Sequence, residues 1–500
     1  MGTLFKPTSY RKGAAWAVAA TFLWKLISFA SALLMAALFG ATYKTDVYFY
    51  LIMLIGFGLT FANRLNSTVL IPEALFLQQK DPAQAHRFVS MWFYLYLVCG
   101  ILIVAGGIFI PVQLGCFFSR FQPQELQAEQ LLLTLGFLLF ALQLLTYYLQ
   151  SVAEMYKLFG TAWLGVLNAL CPFLWLLGAG REIGLIAMVY GFLSANVLQI
   201  VALLLLLKQE TGKFFLPAWV HLPKRIKQNA LSGQVLAVFE IINSLVPVYL
   251  ISSMGAGMIS ALNYCRQLTD SPTEILTNRV VNISKIALTE DAAKQTEEKF
   301  NQTFLASNFI LLFFLTPLVI FSCYFAKDIV SLFFERGNFT GKAVQDTVSF
   351  LRPFIFTVLL LAPAMIQGAA VAAMRKIKEN FPFSVVSSLI FLSGVWFLVP
   401  RYGAFSFAYI SVAGLVISAL INGIFFRRYL PSVPFFKMYA DTGVLILLNL
   451  ISLIPAAWLR TKLPVLPYYW TIFVCGIVYV GILAVLYNNR KYWKRLTEGF

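Results

Sequence analysis

Apolar residues along this chain gather into long runs and do not alternate with period two. A bilayer-spanning helix needs about 20 mostly apolar residues. Fourteen runs meet that length: 14–39, 46–73, 88–114, 129–152, 156–177, 182–207, 231–252, 256–285, 303–326, 344–373, 381–399, 403–426, 442–459 and 467–487. In lipid, every backbone N–H and C=O must be satisfied within the segment or in a closed barrel. Runs of this length predict helices, whereas a barrel would show short alternating segments. The expected fold class is an all-α polytopic membrane protein.

The polar interruptions of these runs repeat. Lys25 lies inside the first run and Glu240 inside the seventh, 215 positions apart; the same offset carries Ser28 onto Asn243, Gly40-Ala41 onto Gly255-Ala256, and Asn63-Arg64 onto Asn278-Arg279. Several coincidences at one offset read as an internal duplication. The expectation is two six-helix lobes, residues 1–207 and 231–428, joined by the basic linker 208–230. Residues 429–500 add a two-helix hairpin and a basic tail. Both lobes start on the same side, so the repeat is parallel, with its pseudo-two-fold axis along the membrane normal. Between runs eight and nine, Glu290, Lys294 and Glu298 share one helical face and predict an amphipathic surface helix over 285–301.

Composition agrees with a membrane protein: 60% hydrophobic, 12% charged, mean hydropathy +0.79. The net charge of +17 raises nucleic acid as a partner, but topology accounts for it better. With the N-terminus inside, most of the 38 Lys and Arg fall in inner loops and tails. That bias places both termini in the cytoplasm and sets the basic loops against anionic headgroups. The expected location is the cytoplasmic (inner) membrane, with membrane lipids and not nucleic acid as neighbours. The first run carries Lys25 and is too long for a cleavable leader. The six cysteines form no CxxC pair, and a bridge between Cys116 and Cys323 is left open.

Enzyme signatures are missing. The chain has no GxxxxGK[ST] and no GxSxG, and its two histidines, His86 and His221, fall in inner loops. Neither a metal site nor a cofactor is expected. The chemistry that remains is intramembrane charge. An ionisable group within a span costs about 2.5–3.5 kcal/mol on insertion scales and is a functional-site hypothesis by default. The cations Lys25, Arg64, Arg266, Arg279 and Arg352 outnumber the deep anions Glu240, Asp270 and Glu274, with Asp46 at the outer end of the second run. Interhelical salt bridges are the plainer explanation. A surplus of cations points instead to a hydrated cavity that receives an anion. Lys25, Arg64, Arg266 and Arg279 are the expected substrate-binding residues, with Asp46, Glu240, Asp270 and Glu274 as charge-pairing or gating partners. Lys25 and Glu240, both near mid-span, are a candidate contact between the lobes. Arginine forks suit phosphate, so a lipid pyrophosphate fits.

Several short motifs resemble a known family. Phe39-Gly40-Ala41 with Thr45-Asp46-Val47-Tyr48-Phe49, the stretch Ser331–Thr340 containing Glu335-Arg336-Gly337-Asn338-Phe339, and Tyr264-Cys265-Arg266-Gln267-Leu268 with Asp270 and Pro272 resemble patterns of the MviN/MurJ-type lipid II flippases. That family belongs to the multidrug/oligosaccharidyl-lipid/polysaccharide (MOP) superfamily. Where the family carries two arginines in its first segment the chain has Lys25 and Ser31, and at the family's arginine pair in the second it has Leu59 and Thr60. The resemblance implies a flippase that moves a polyprenyl-diphosphate-linked saccharide, lipid II or a related envelope precursor, by alternating access, with envelope-synthesis enzymes as partners. The alternatives are a cation-coupled multidrug exporter of the same superfamily and a membrane scaffold that transports nothing.

Overall fold

The computed structural model describes residues 10–212, 215–218, 220, 224–294, 296–462 and 467–487; the side chains at 10–12, 14, 224–233, 235–236, 271–273, 275 and 278–279 lie outside the described set. So do His221, both basic tails and much of the basic linker. Contacts divide the chain into two compact units, Met1–Ser260 with Gly337–Phe339, and Ala261–Arg336 with Thr340–Phe500. Every regular element among the described residues is helical.

The first unit opens with α1 (Tyr10–Phe39) and α2 (Tyr43–Leu65), which passes through a π-turn (Asn66–Leu70) into α3 (Ile71–Lys80). Next come α4 (Pro82–Phe109), the short α5 (Pro111–Phe118) and α6 (Pro123–Ala128), then α7 (Gln130–Met155). A 3₁₀ segment (Phe159–Val166) leads into α8 (Leu167–Ile183), followed by α9 (Ile186–Thr211) and α10 (Lys224–Ile251). Helix α11 (Met258–Ala293) contributes its first turn to this unit. Polar punctuation explains the starts. Asp81 accepts from the N–H groups of Ala83 and Gln84 at 2.9 and 3.2 Å, with Pro82 at the first helical position of α4.

The second unit holds the rest of α11, then α12 (Glu297–Tyr324), α13 (Ala326–Phe334), α14 (Gly341–Phe354), α15 (Phe356–Ala373), α16 (Ile377–Tyr402), α17 (Ser406–Tyr429), α18 (Phe435–Lys462) and α19 (Tyr468–Tyr487). The expected single run 344–373 is two helices, because Pro353 lacks an N–H and its ring crowds the preceding turn. No separate amphipathic helix covers 285–301: α11 continues to Ala293, and α12 begins at Glu297. The last two helices are fastened to the unit by buried polar groups. Tyr479 donates to Asn449 at 2.5 Å and lies 3.3 Å from the Pro317 carbonyl, while Asn449 donates to Tyr487 at 2.8 Å. Arg460 pairs with Asp328 at 2.7 Å.

Twelve stretches among the described residues are long and apolar enough to cross a membrane. The seventh and eighth expected spans are α10 and α11. The described apolar part of α10 is short, Ala237–Ile251. Helix α11 is interrupted by Arg266, Asp270, Glu274 and Arg279, whose charges dilute its apolar content.

Within the first unit, the chain turns sharply between α1 and α2. Gly40 has φ +66°, and a Cβ there would sit 2.4 Å from the Asn338 carbonyl oxygen. Gly40→Ala is therefore expected to destabilise the protein by about 1–3 kcal/mol. Gly56→Ala, mid-helix with open space around it, serves as the control and should be neutral or slightly stabilising. Thermal unfolding in detergent separates the two; equal midpoints would contradict the strained-turn assignment.

Candidate functional site

The second helix carries its charge beside an irregularity. Pro72 sits in the first turn of α3, and its ring would clash with the carbonyl four residues back in a straight helix. The π-turn over Asn66–Leu70 absorbs that clash. The hydroxyls of Ser67 and Thr68 donate to the Arg64 carbonyl at 3.1 and 2.8 Å, occupying an acceptor beside the disturbed ladder. Asn66, 1% exposed, donates to Ser151 on α7 at 3.1 Å and accepts from Tyr96 on α4 at 2.7 Å. This polar knot pins the π-turn, and with it the Cα of Arg64, to two neighbouring helices.

Helix α10 packs on α2 and the π-turn. There Arg64 Nη2 donates to Glu240 Oε2 at 2.7 Å. Of the eight expected site residues, these two are brought into an ion pair. Their side chains are 40% and 55% exposed. An exposed ion pair contributes only about 0.2–1 kcal/mol. A multiply charged anion offering a bidentate contact to the guanidinium competes well at that strength.

The remaining expected residues have different surroundings. Lys25 Nζ stands 4.9 Å from the centroid of the Trp24 ring. In the second unit the Arg266 guanidinium lies 5.9 Å from the Phe354 ring centroid. One turn on, Asp270 accepts from the Thr269 hydroxyl at 3.0 Å and is exposed, as is Glu274. The side chains of Arg279 and of Pro272, the expected kink in α11, lie outside the described residues.

Asp46 is only 1% exposed and is held by donors from the start of α11. It accepts from the Gly257 N–H at 2.6 Å, the Ser260 N–H at 2.7 Å and the Ser260 hydroxyl at 2.6 Å. A carboxylate placed there satisfies orphan helix donors and sits at the positive end of the helix dipole. Gly257, at φ +89°, lets the backbones close: a Cβ would lie 2.8 Å from the Ala41 carbonyl oxygen. Thr45 and Ser260, 215 residues apart, meet with hydroxyl oxygens 2.8 Å from each other. The opposite end of the neighbouring helix is closed by the glycine-asparagine motif. The Asn338 N–H donates to the Ala37 carbonyl at 2.9 Å, and its side-chain amide donates to the Leu38 carbonyl, both orphan acceptors at the C-terminus of α1. Neither cap is visible in a linear reading, because each partner is distant in the chain.

The many-helix fold, with a loose ion pair and further charged side chains on its membrane-crossing helices, defines a polytopic membrane protein of the transporter type. The family model for the lipid II flippase MurJ matches residues 35–479, and the chain belongs to that family. A probable lipid II flippase MurJ from Bdellovibrio bacteriovorus is 24% identical over 310 residues, a match that takes in 59% of this chain and 58% of that relative. The fold is similar to a solved lipid II flippase MurJ in an inward closed conformation, with TM-score 0.77 and 17% identity over 94% of this chain and 98% of that one. It is also similar to an inward-facing multidrug resistance MATE family transporter of the MOP superfamily, with TM-score 0.62 and 13% identity over 85% and 99% of the two chains.

Asp46→Leu removes the acceptor from two buried N–H groups and one hydroxyl, each costing about 1–3 kcal/mol when left unpaired. The expected outcome is a large fall in thermal midpoint, with a smaller fall for Ser260→Ala, which removes one donor. Near-wild-type unfolding of Asp46→Leu would contradict the capping role.

Proposed function

We propose that the protein is a flippase for a polyprenyl-diphosphate-linked saccharide, carrying it from the inner to the outer leaflet by alternating access. The observation that carries this reading is the weak, half-exposed Arg64–Glu240 pair inside a member of the lipid II flippase MurJ family. The diphosphate displaces Glu240 from Arg64, and the carboxylate pairs again when the lipid leaves. Lys25, Arg266 and Arg279 supply further positive charge to the headgroup, while Asp270 and Glu274 exchange partners as the lobes move. The offset of 215 that joins Thr45 to Ser260 maps Arg64 and Glu240 onto Arg279 and Lys25, both cations, so the repeat of the ion pair has no anion of its own.

In this reading the lobes are residues 1–207 and 231–428, linked by 208–230, with 429–500 appended along the path of the lipid tail. Both termini are cytoplasmic, where basic loops meet anionic headgroups and where an inner-leaflet substrate is captured. The partners are the lipid-linked saccharide, membrane lipids and envelope-synthesis enzymes, with no nucleic acid. The protein performs no covalent chemistry of its own. Membership in the family favours this reading over a drug exporter or a scaffold.

Glu240→Lys places two cations together and leaves the outgoing state without its internal anion. Reconstituted into vesicles with a fluorescent polyprenyl-diphosphate saccharide, this variant is expected to insert normally and to lose translocation. Wild-type flipping by Glu240→Lys would contradict the exchange.

A further inference from the structure

Apart from the charged residues, the first unit holds an open cleft of about 360 Å³. Gln143, Thr146, Tyr147 and Gln150 line it from α7, at the i, i+3, i+4, i+7 spacing of a single helical face. Trp24 comes from α1, Asn168 from α8 and Gln199 from α9. No Asp, Glu, Lys or Arg is among its lining residues. The volume falls within the range of small-ligand sites, about 300–1,000 Å³.

The hydrogen-bonding capacity of this lining is only partly used. Gln143 makes no hydrogen bond among the described residues. Asn168 accepts from Asn196 at 3.2 Å through its carbonyl oxygen, which leaves its NH₂ group to donate. Gln150 reaches Glu154 and Thr161 through its amide nitrogen, both at 3.4 Å, which leaves its carbonyl to accept. Gln199 is 2% exposed and uses its amide nitrogen on the Ala195 carbonyl at 3.3 Å. Amides within a membrane-crossing unit are costly unless water or a ligand pairs with them.

The chemistry of the lining selects among ligands. An anion finds no countercharge there. A wholly apolar molecule strands the amides, a rejection that buried polar groups make strong. A neutral polyhydroxylated ring suits both parts of the surface: its hydroxyls pair with amide donors and acceptors, and its C–H face lies against the rings of Trp24, Tyr147 and Phe192. Trp24 also connects this cavity to the charged set, since Lys25 Nζ lies 4.9 Å from its ring centroid.

We propose that this cavity is the subsite for the neutral sugar next to the diphosphate, with Lys25 holding the phosphate at its mouth. The assignment rests on the flippase reading and adds to it the place where the saccharide is recognised.

The test compares two probes on the full chain in nanodiscs: a polyprenyl diphosphate, and the same lipid carrying one N-acetylhexosamine. Affinities are read by titration, for instance from tryptophan fluorescence. Wild type is expected to prefer the glycosylated lipid, and Gln143→Leu to reduce that preference about tenfold, the loss of one or two hydrogen bonds. Thr146→Val, nearly isosteric, guards against misfolding and should leave thermal unfolding intact while weakening the preference in the same direction. A preference kept in full by both variants overturns the sugar subsite and leaves the flippase reading standing. Equal wild-type affinity for the two lipids also overturns the subsite. Binding of neither lipid by wild type overturns the flippase reading together with the subsite.

Discussion

One buried carboxylate sets the geometry on which the rest of the first unit depends. Asp46, near the start of α2, closes the first turn of α11 through two backbone N–H groups and one hydroxyl. Charge-assisted hydrogen bonds of this kind contribute about 1.5–3 kcal/mol each. The same three donors fix where the backbone of α11 starts against α2. Because backbone dipoles and a hydroxyl engage Asp46, its charge is not spent on neutralising an arginine.

An ion pair of this unit is held more lightly. Arg64 and Glu240 pair at 2.7 Å with roughly half of each side chain open. A fully buried pair would cost several kcal/mol to separate, which would hold the protein in one state. An open pair is cheap to break and cheap to form again. The firm support lies just behind it, in the Asn66 knot and the π-turn that fix the backbone of Arg64. A rigid base under a loosely held charge suits the partner exchange proposed for Arg64.

Much of the fold was legible in the run lengths alone, since bilayer thickness imposes a minimum on each apolar helix. The charged positions were legible too, because an ionisable residue in an apolar run is conspicuous. Their partners were not. Asp46 was expected among the charge-pairing residues, and its donors stand 211 and 214 positions away. Asn66, one polar residue inside an apolar run, ties three elements together. Neither Pro72 nor Pro353 can sit in a straight helix without disturbing it, yet the chain answers one with a π-turn and the other with a break. The neutral face of α7 escaped notice for a different reason. Glutamine, threonine and tyrosine are ordinary on helices, and only the cavity before them shows that they share one lining.

A flippase of this kind has a lipid-linked saccharide as its cargo, as proposed above. The most direct measurement depletes the protein in its own cells and determines, with a membrane-impermeant probe, in which leaflet polyprenyl-diphosphate saccharides collect. Accumulation on the cytoplasmic leaflet, with the outer-leaflet pool emptied, is the predicted result. An unchanged distribution between leaflets would contradict it.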